Sequence, residues 1–271
     1  MKRFFLLLSV LCFSSAGFAQ DEQAQVSKAA AEKFRAMETL ARRTQVVVLK
    51  DGKEVPAVLR ADPLMKYGDE FRKIKESTLW VWMDGQQPVA FQKIEVNVWN
   101  GPENPFWTFC VSSTTEQQLK ISWPFHPESF LTEPVSFADL DGIDVNTHHE
   151  TTFKLQLRSL MRDVSVIEGT GNKTEEIRLL PQPLLSMADP DHGVHGAVFG
   201  YAVGTNPDAL VIMRTVNDAG GSPRLQCGVA QMTSAALSAR FRETEIYRGP
   251  GRGSGLRGTW GYFFSHVKVS E

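Results

Sequence analysis

The feature of this chain that most constrains its fold is a recurrence. The segment Phe34 to Arg43 can be laid on Phe153 to Arg162, 119 residues further on, and both read as amphipathic helix. The same offset sets Val47-Val48 on Val166-Ile167, and one more residue sets Leu59 on Leu179 and Pro63-Leu64 on Pro183-Leu184. Back at 119, Leu79 to Trp82 falls on Val198 to Tyr201, and Gly85, Pro88 and Ala90 fall on Gly204, Pro207 and Ala209. Cys110 then meets Cys227, and Leu119 and Trp123 meet Leu237 and Phe241, at offsets of 117 and 118. No single match persuades, but signals for helix, hairpin, turn and strand recur in one order at a nearly constant spacing. Repeats of roughly 20 to 50 residues build solenoids, whereas a unit near 120 is domain-sized. The spacing therefore predicts a tandem duplication, residues 20–142 and 143–271, in a pseudo-twofold arrangement. Whether the two units are separate domains or share one sheet stays open.

Within a unit, Val26, Ala30, Phe34, Met37 and Ala41 form one apolar stripe, and Phe153, Leu157, Leu160, Met161 and Val164 form the other. Strand and turn patterns come after each stripe. Val46 to Leu49 and Glu54 to Leu59 flank Asp51-Gly52, a pair suited to the positive φ angles of a type I′ hairpin turn. The second unit uses a longer turn, Gly169 to Asn172. Thr78 to Met83, a turn over 84–88 and Val89 to Val98 come next, with Ala197 to Val203, a turn over 204–207 and Ala209 to Val216 as counterparts. Ala209 to Met213 has no polar alternation, which predicts that both faces of that strand are covered. Two further strands complete each unit, Trp107 to Ser112 and Leu119 to Trp123, matched by Leu225 to Met232 and Leu237 to Phe241. The expected fold class is α+β, each unit one amphipathic helix packed on an antiparallel sheet. Residues 248–258 read as a mobile basic loop before a last strand, Trp260 to Val267.

The N-terminus carries Lys2 and Arg3, an apolar run from Phe4 to Phe13, and small residues at Gly17 and Ala19. That pattern predicts residues 1–19 to be a signal peptide cleaved after Ala19, and a secreted or periplasmic mature protein. The apolar run is shorter than the roughly 20 residues a bilayer crossing requires, and no later run is longer, so no transmembrane segment is expected in the mature chain. Lipidation of Cys12 is the rival, but Leu11 stands where a lipobox places a small residue. Lys2 and Arg3 go with the leader, so 29 basic residues become 27 against 31 acidic ones, a formal charge of −4. An acidic chain lacks the cationic footprint that nucleic-acid binding rests on. With 42% apolar and 22% charged residues the chain composes like a folded globular protein.

Candidate chemistry is sparse. In Thr147-His148-His149-Glu150 the adjacent histidines do not converge on a helix, and Thr147-x-x-Glu150 ahead of the apolar stripe reads as a capping box. His192 and His195, beside Asp189 and Asp191, lie in a Gly- and Asp-rich stretch where a loop can bring ligands together; the matching stretch 66–76 has no histidine. Gly169 to Thr174 lacks the glycine spacing of a phosphate loop, and Gly253-Ser254-Gly255 lacks that of a nucleophile elbow. Cys110 and Cys227 are expected as buried free thiols. A bridge between them requires Cα atoms within about 7 Å, which equivalent positions satisfy only near the pseudo-twofold axis, and that pairing stays open. Trp80, Trp82 and Trp99 are read as core, with a sugar- or lipid-binding face as the rival.

From Ile177 to Leu184, through Gly196 to Phe199 and Gly204 to Asp208, to Ala230 to Leu237, the chain resembles a family of secreted planctomycete proteins of unknown function. Thr78 to Ala90 looks like that family's first-copy strand and turn. The resemblance implies export and common ancestry. It brings no catalytic motif, and Cys110 stands where the family's strand suggests a histidine near Phe109.

These observations predict an exported, non-enzymatic binding or interaction module for an unknown ligand or protein. No catalytic, cofactor-binding or metal residues are assigned and no cofactor is expected. The rival is a metal-assisted hydrolase using the loop near 189–195, with His192, His195, Asp189 and Asp191 as its groups.

Overall fold

The computed structural model describes residues 15–101, 104–124, 128–145, 149–189, 194–218, 220–251 and 255–265. Most of the leader read over 1–19 lies outside the described residues, as do Cys12, Thr147, His148, Asp191, His192, Gly253 and Ser254.

In chain order the elements are α1 (Ser15–Arg43), β1 (Gln45–Lys50), β2 (Lys53–Pro56), β3 (Val58–Leu59), β4 (Met65–Asp69), β5 (Ile74–Asp84) and β6 (Gln87–Asn97). Next come β7 (Phe106–Ser113), β8 (Gln118–Ser122), β9 (Phe130–Leu131) and β10 (Phe137–Asp139). After α2 (Glu150–Leu160) and a 3₁₀ turn at Met161–Asp163 stand β11 (Val164–Thr170), β12 (Lys173–Leu179), β13 (Leu185–Asp189), β14 (Val194–Ala202) and β15 (Ala209–Asn217). The last five are β16 (Pro223–Gln231), β17 (Ala236–Phe241), β18 (Thr244–Gly249), β19 (Gly255–Arg257) and β20 (Trp260–Ser265).

The α+β expectation is overturned. Strand occupies 55% of the structure and helix 13%, and one sheet is nearly closed into a barrel. The strands form a four-stranded sheet (β2-β1-β8-β9), a nine-stranded sheet (β10-β16-β15-β14-β12-β11-β17-β18, with β13 on β14) and a seven-stranded sheet (β19-β20-β7-β6-β5-β3, with β4 also on β5). The expectation failed because it took a helix to be the layer that covers each sheet. The central apolar cluster is instead formed sheet against sheet, between strands of the seven- and nine-stranded sheets.

Side-chain alternation explains that packing. On β5, Trp80 and Trp82 point outward to Met37, Leu40 and Ala41 of α1 and to Val48, Leu119 and Ile121 of the four-stranded sheet. Leu79 and Val81, on the other face, meet Val198, Leu210 and Ile212 of the nine-stranded sheet, with Phe91, Ala230, Met232, Trp260 and Tyr262. In the second half Phe153, Leu157 and Met161 pack on Phe199, Tyr201, Val211 and Met213. Strands β5, β6, β14 and β15 therefore have a core on each face, as the all-apolar run 209–213 implies.

Turn chemistry sets local register. Asp51 and Gly52 both have positive φ, 48° and 75°, joining β1 to β2 as a type I′ turn requires. The turn in the second half is tighter than expected: Thr170 pairs with Lys173, leaving only Gly171-Asn172, with Gly171 at φ 62°. The turn after β5 is also shorter than read, since Asp84 pairs with Gln87 and Pro88 lies inside β6 opposite Met83. Residues 248–258 are not a simple loop, because Arg248, in β18, pairs with Ser238 of β17, and Gly255–Arg257 pairs with β20. Val164 opens a strand and does not belong to the helix stripe.

Strand pairing crosses the boundary at 142/143. The strand β10, ahead of it, pairs with β16, placing Ala138 opposite Cys227. The strand β20, at the end of the chain, pairs with β7, placing Tyr262 opposite Cys110. Each half thus lends its last strand to the other half's sheet.

Candidate functional site

The groups with chemistry in them gather where the two large sheets face each other. Leu79, Lys93 and Cys110 form one row across β5, β6 and β7, and Leu79 and Cys110 belong to the central apolar cluster. Lys93 therefore points into the seam, and Glu95, two residues on, points the same way; each is 1% exposed. The Lys93 ammonium lies 3.2 Å from Glu95 Oε1 and donates to Asn206 Oδ1 at 2.8 Å and the Pro207 carbonyl at 3.0 Å. The Tyr67 hydroxyl, on β4, reaches Glu95 Oε1 at 3.2 Å and Asn206 Oδ1 at 3.0 Å. Burial and the neighbouring Glu95 charge push that phenol well above its usual range.

A second set adjoins it. Arg72, in the turn between β4 and β5, places Nη2 at 2.9 Å from Asp208 Oδ2 and 2.5 Å from Glu168 Oε2. Thr233 donates to Glu168 Oε1 at 2.6 Å. Burial raises the Asp208 carboxyl to about 7, against the pull of Arg72 and Lys93. For Arg72 the balance falls the other way, the Asp208 and Glu168 charges outweighing burial and raising the guanidinium. Among the described residues, Asp208 Oδ1 and Arg72 Nε find no hydrogen-bond partner. A buried orphan atom costs about 1–3 kcal/mol, so this half of the network is under electrostatic tension.

The two halves also clasp through the strand ends that carry aspartate. Asp69 Oδ2 accepts from the main-chain N–H groups of Thr205 at 3.0 Å and Asn206 at 3.2 Å. Gly204 has no side chain because a Cβ there would sit 2.2 Å from Asp69 Oδ2. On β13, Asp189 accepts from Gln87 Nε2 at 3.2 Å.

Of the predicted site residues Asp189 and His195 are described, and they face opposite ways. Asp189 lies on the seam side of its strand with Met187, whereas His195 pairs with Ala188 and faces the other way, its ring 6.3 Å from that of Phe153 on α2. Among the described residues no group of three or more His, Cys, Asp or Glu side chains is placed to hold a metal ion. The capping box is corrected: α2 starts at Glu150, its N-cap is His149 with no side-chain cap bond, and Glu150 pairs with Lys154 at 2.5 Å. Cys110 and Cys227 are free and buried, with burial pushing both thiols up to about 12. They are not at equivalent places. Cys110 opposes Lys93 and faces the seam, while Cys227 opposes Met213 and faces the α2 core. A shift of one residue in a strand exchanges its faces, and the offset of 117 was one residue short. Trp80 and Trp82 are core, 1% and 5% exposed, but Trp99 is 52% exposed.

The buried network escaped sequence reading because Lys93 and Glu95 alternate with Ile94 and Val96, the pattern of a strand with one wet face. Comparisons with family models, curated proteins and solved structures returned no match.

Proposed function

We propose that this chain is an exported, non-enzymatic binding or interaction module. The observation that carries it is the exposed aromatic pair at one rim. Phe71 is 74% exposed in the turn after β4, and Trp99 is 52% exposed in the loop after β6. Trp99 is fixed in place: its indole N–H donates to the Arg72 carbonyl at 2.6 Å, and its ring meets Phe106 edge-on at 5.5 Å. Large aromatics that are both exposed and held rigid characterise binding surfaces.

The ionisable groups of the seam support the non-enzymatic reading, since Lys93, Glu95 and Asp208 are at most 1% exposed and bind one another or Arg72. No observation favours a hydrolase at His195 and Asp189. Export rests on the Lys2-Arg3 start, the Phe4 to Phe13 run and the resemblance to secreted proteins. Among the described residues no helix is long and apolar enough to cross a membrane.

Tryptophan fluorescence titrated with a panel of glycans and lipids tests the binding reading. A saturable response that disappears in Trp99→Ala is expected. A flat response to every ligand, with no protein partner retained on immobilised wild type relative to Trp99→Ala, overturns it.

A further inference from the structure

Three groups in the seam are in direct contact with one another. Lys93 Nζ is 2.8 Å from the carboxamide oxygen of Asn206, and Glu95 Oε1 is 3.2 Å from the same nitrogen. The Tyr67 hydroxyl touches both acceptors, 3.0 Å from Asn206 Oδ1 and 3.2 Å from Glu95 Oε1. Lys93, Glu95 and Asn206 are at most 3% exposed. We propose that Lys93 and Asn206 join spontaneously in an intramolecular isopeptide bond, so that the folded chain is covalently cross-linked across its seam.

The chemistry needs only what the site holds. Glu95 takes a proton from the Lys93 ammonium, and the freed lone pair attacks Asn206 Cγ. Negative charge develops on Oδ1, where the Tyr67 hydroxyl donates. Glu95 then returns the proton to Nδ2, the Cγ–Nδ2 bond breaks, and ammonia leaves, carrying off as ammonium the remaining proton of the attacking nitrogen. One amide replaces another, with no change of oxidation state and no co-reactant. Holding the amine against the carboxamide away from water supplies the effective concentration that the reaction lacks in solution.

The neighbourhood of Asn206 favours this partner. An asparagine ordinarily loses ammonia by cyclising onto the next peptide nitrogen. Here that residue is Pro207, which has no backbone N–H. The turn is also pinned from both sides, by Asp69 at the Asn206 main-chain N–H and by Lys93 at the Pro207 carbonyl. The bond would tie β6 of one sheet to the β14–β15 turn of the other in a chain whose cysteines Cys110 and Cys227 are free.

The test is peptide mapping by mass spectrometry on the full chain, folded at neutral pH, then denatured, reduced and digested. Expected is a branched peptide joining the Lys93 segment to the Asn206 segment, lighter by one ammonia than the two together. Intact mass alone does not decide, because cyclisation at Asn100-Gly101 loses the same ammonia; the branched peptide does. Asn206→Ala and chain kept in urea throughout should give only linear peptides. Glu95→Gln, checked for native circular dichroism, should leave Lys93 and Asn206 unlinked or link them at least tenfold more slowly. Recovery of both residues in separate linear peptides from folded wild type overturns the proposal, and wild-type linking in Glu95→Gln overturns the role of Glu95.

Discussion

Arg72 Nη2 stands 2.9 Å from Asp208 Oδ2, and the same nitrogen holds Glu168 at 2.5 Å, so one guanidinium from the first half of the chain is shared between two buried carboxyl groups of the second. Removing a single partner from such a set leaves uncompensated charge in a dry place, at a cost of about 3–5 kcal/mol. Arg72→Met is therefore expected to lower unfolding stability by about that amount in urea titrations near neutral pH. A change below about 1 kcal/mol would mean that water reaches the two carboxylates.

Stability should also carry a pH signature from Asp208. Its carboxyl is raised from 3.8 to about 7 by burial, so between those values the folded chain holds a proton that the unfolded chain has released. Folding is then favoured on the acid side, and stability from this group falls as pH rises through that window and stays low above it. Asp208→Asn removes the titrating group. The unfolding midpoint of wild type should fall relative to that of Asp208→Asn as pH is raised from about 4 to about 8, and parallel curves would contradict the assignment.

The last strand of the chain should be needed by the first half. Trp260 is 1% exposed in the central cluster, and β20 pairs with β7 from Trp260–Ser112 to Ser265–Trp107. Trp260→Ala is expected to cost about 3–5 kcal/mol, with both halves still unfolding in one transition. Two separated transitions by fluorescence and circular dichroism would show that the halves fold independently.

The thiols should be silent in the native state. Cys110 and Cys227 are buried, free and pushed up to about 12, and only a thiolate attacks a disulfide reagent. Ellman's reagent should find neither until denaturant is added, then both. Fast reaction of either one under native conditions would place it at the surface.

The aromatic residues divide in a way that quenching can read. Trp80, Trp82, Trp123 and Trp260 are buried, Trp107 is half-buried and Trp99 is exposed, so Trp99→Phe should remove the largest share of the acrylamide-accessible emission. An unchanged quenching slope would assign the exposed indole elsewhere.

Local structure was legible in the residues wherever a short-range rule governs it. Asp51-Gly52 makes the hairpin it encodes, because the positive φ pair is a property of those two residues and their neighbours. The unbroken apolar run Ala209 to Met213 reports two covered faces, since each side chain must leave water wherever the sheet lies. The helix at 150–160 is there because its apolar stripe has nowhere else to go.

What only the tertiary structure decided is what covers each face and which strand is whose neighbour. Alternation in Lys93-Ile94-Glu95-Val96 says that two faces differ. It does not say that the polar one is buried, because burial of a charge depends on partners such as Asn206 and Pro207 more than a hundred residues away. The pairings of β10 with β16 and β20 with β7 likewise join segments that are not adjacent in the chain. Their hydrogen bonds are main-chain bonds, which leave no mark on residue type, and the clasp of Asp69 on Thr205 and Asn206 exists only once the two sheets have met.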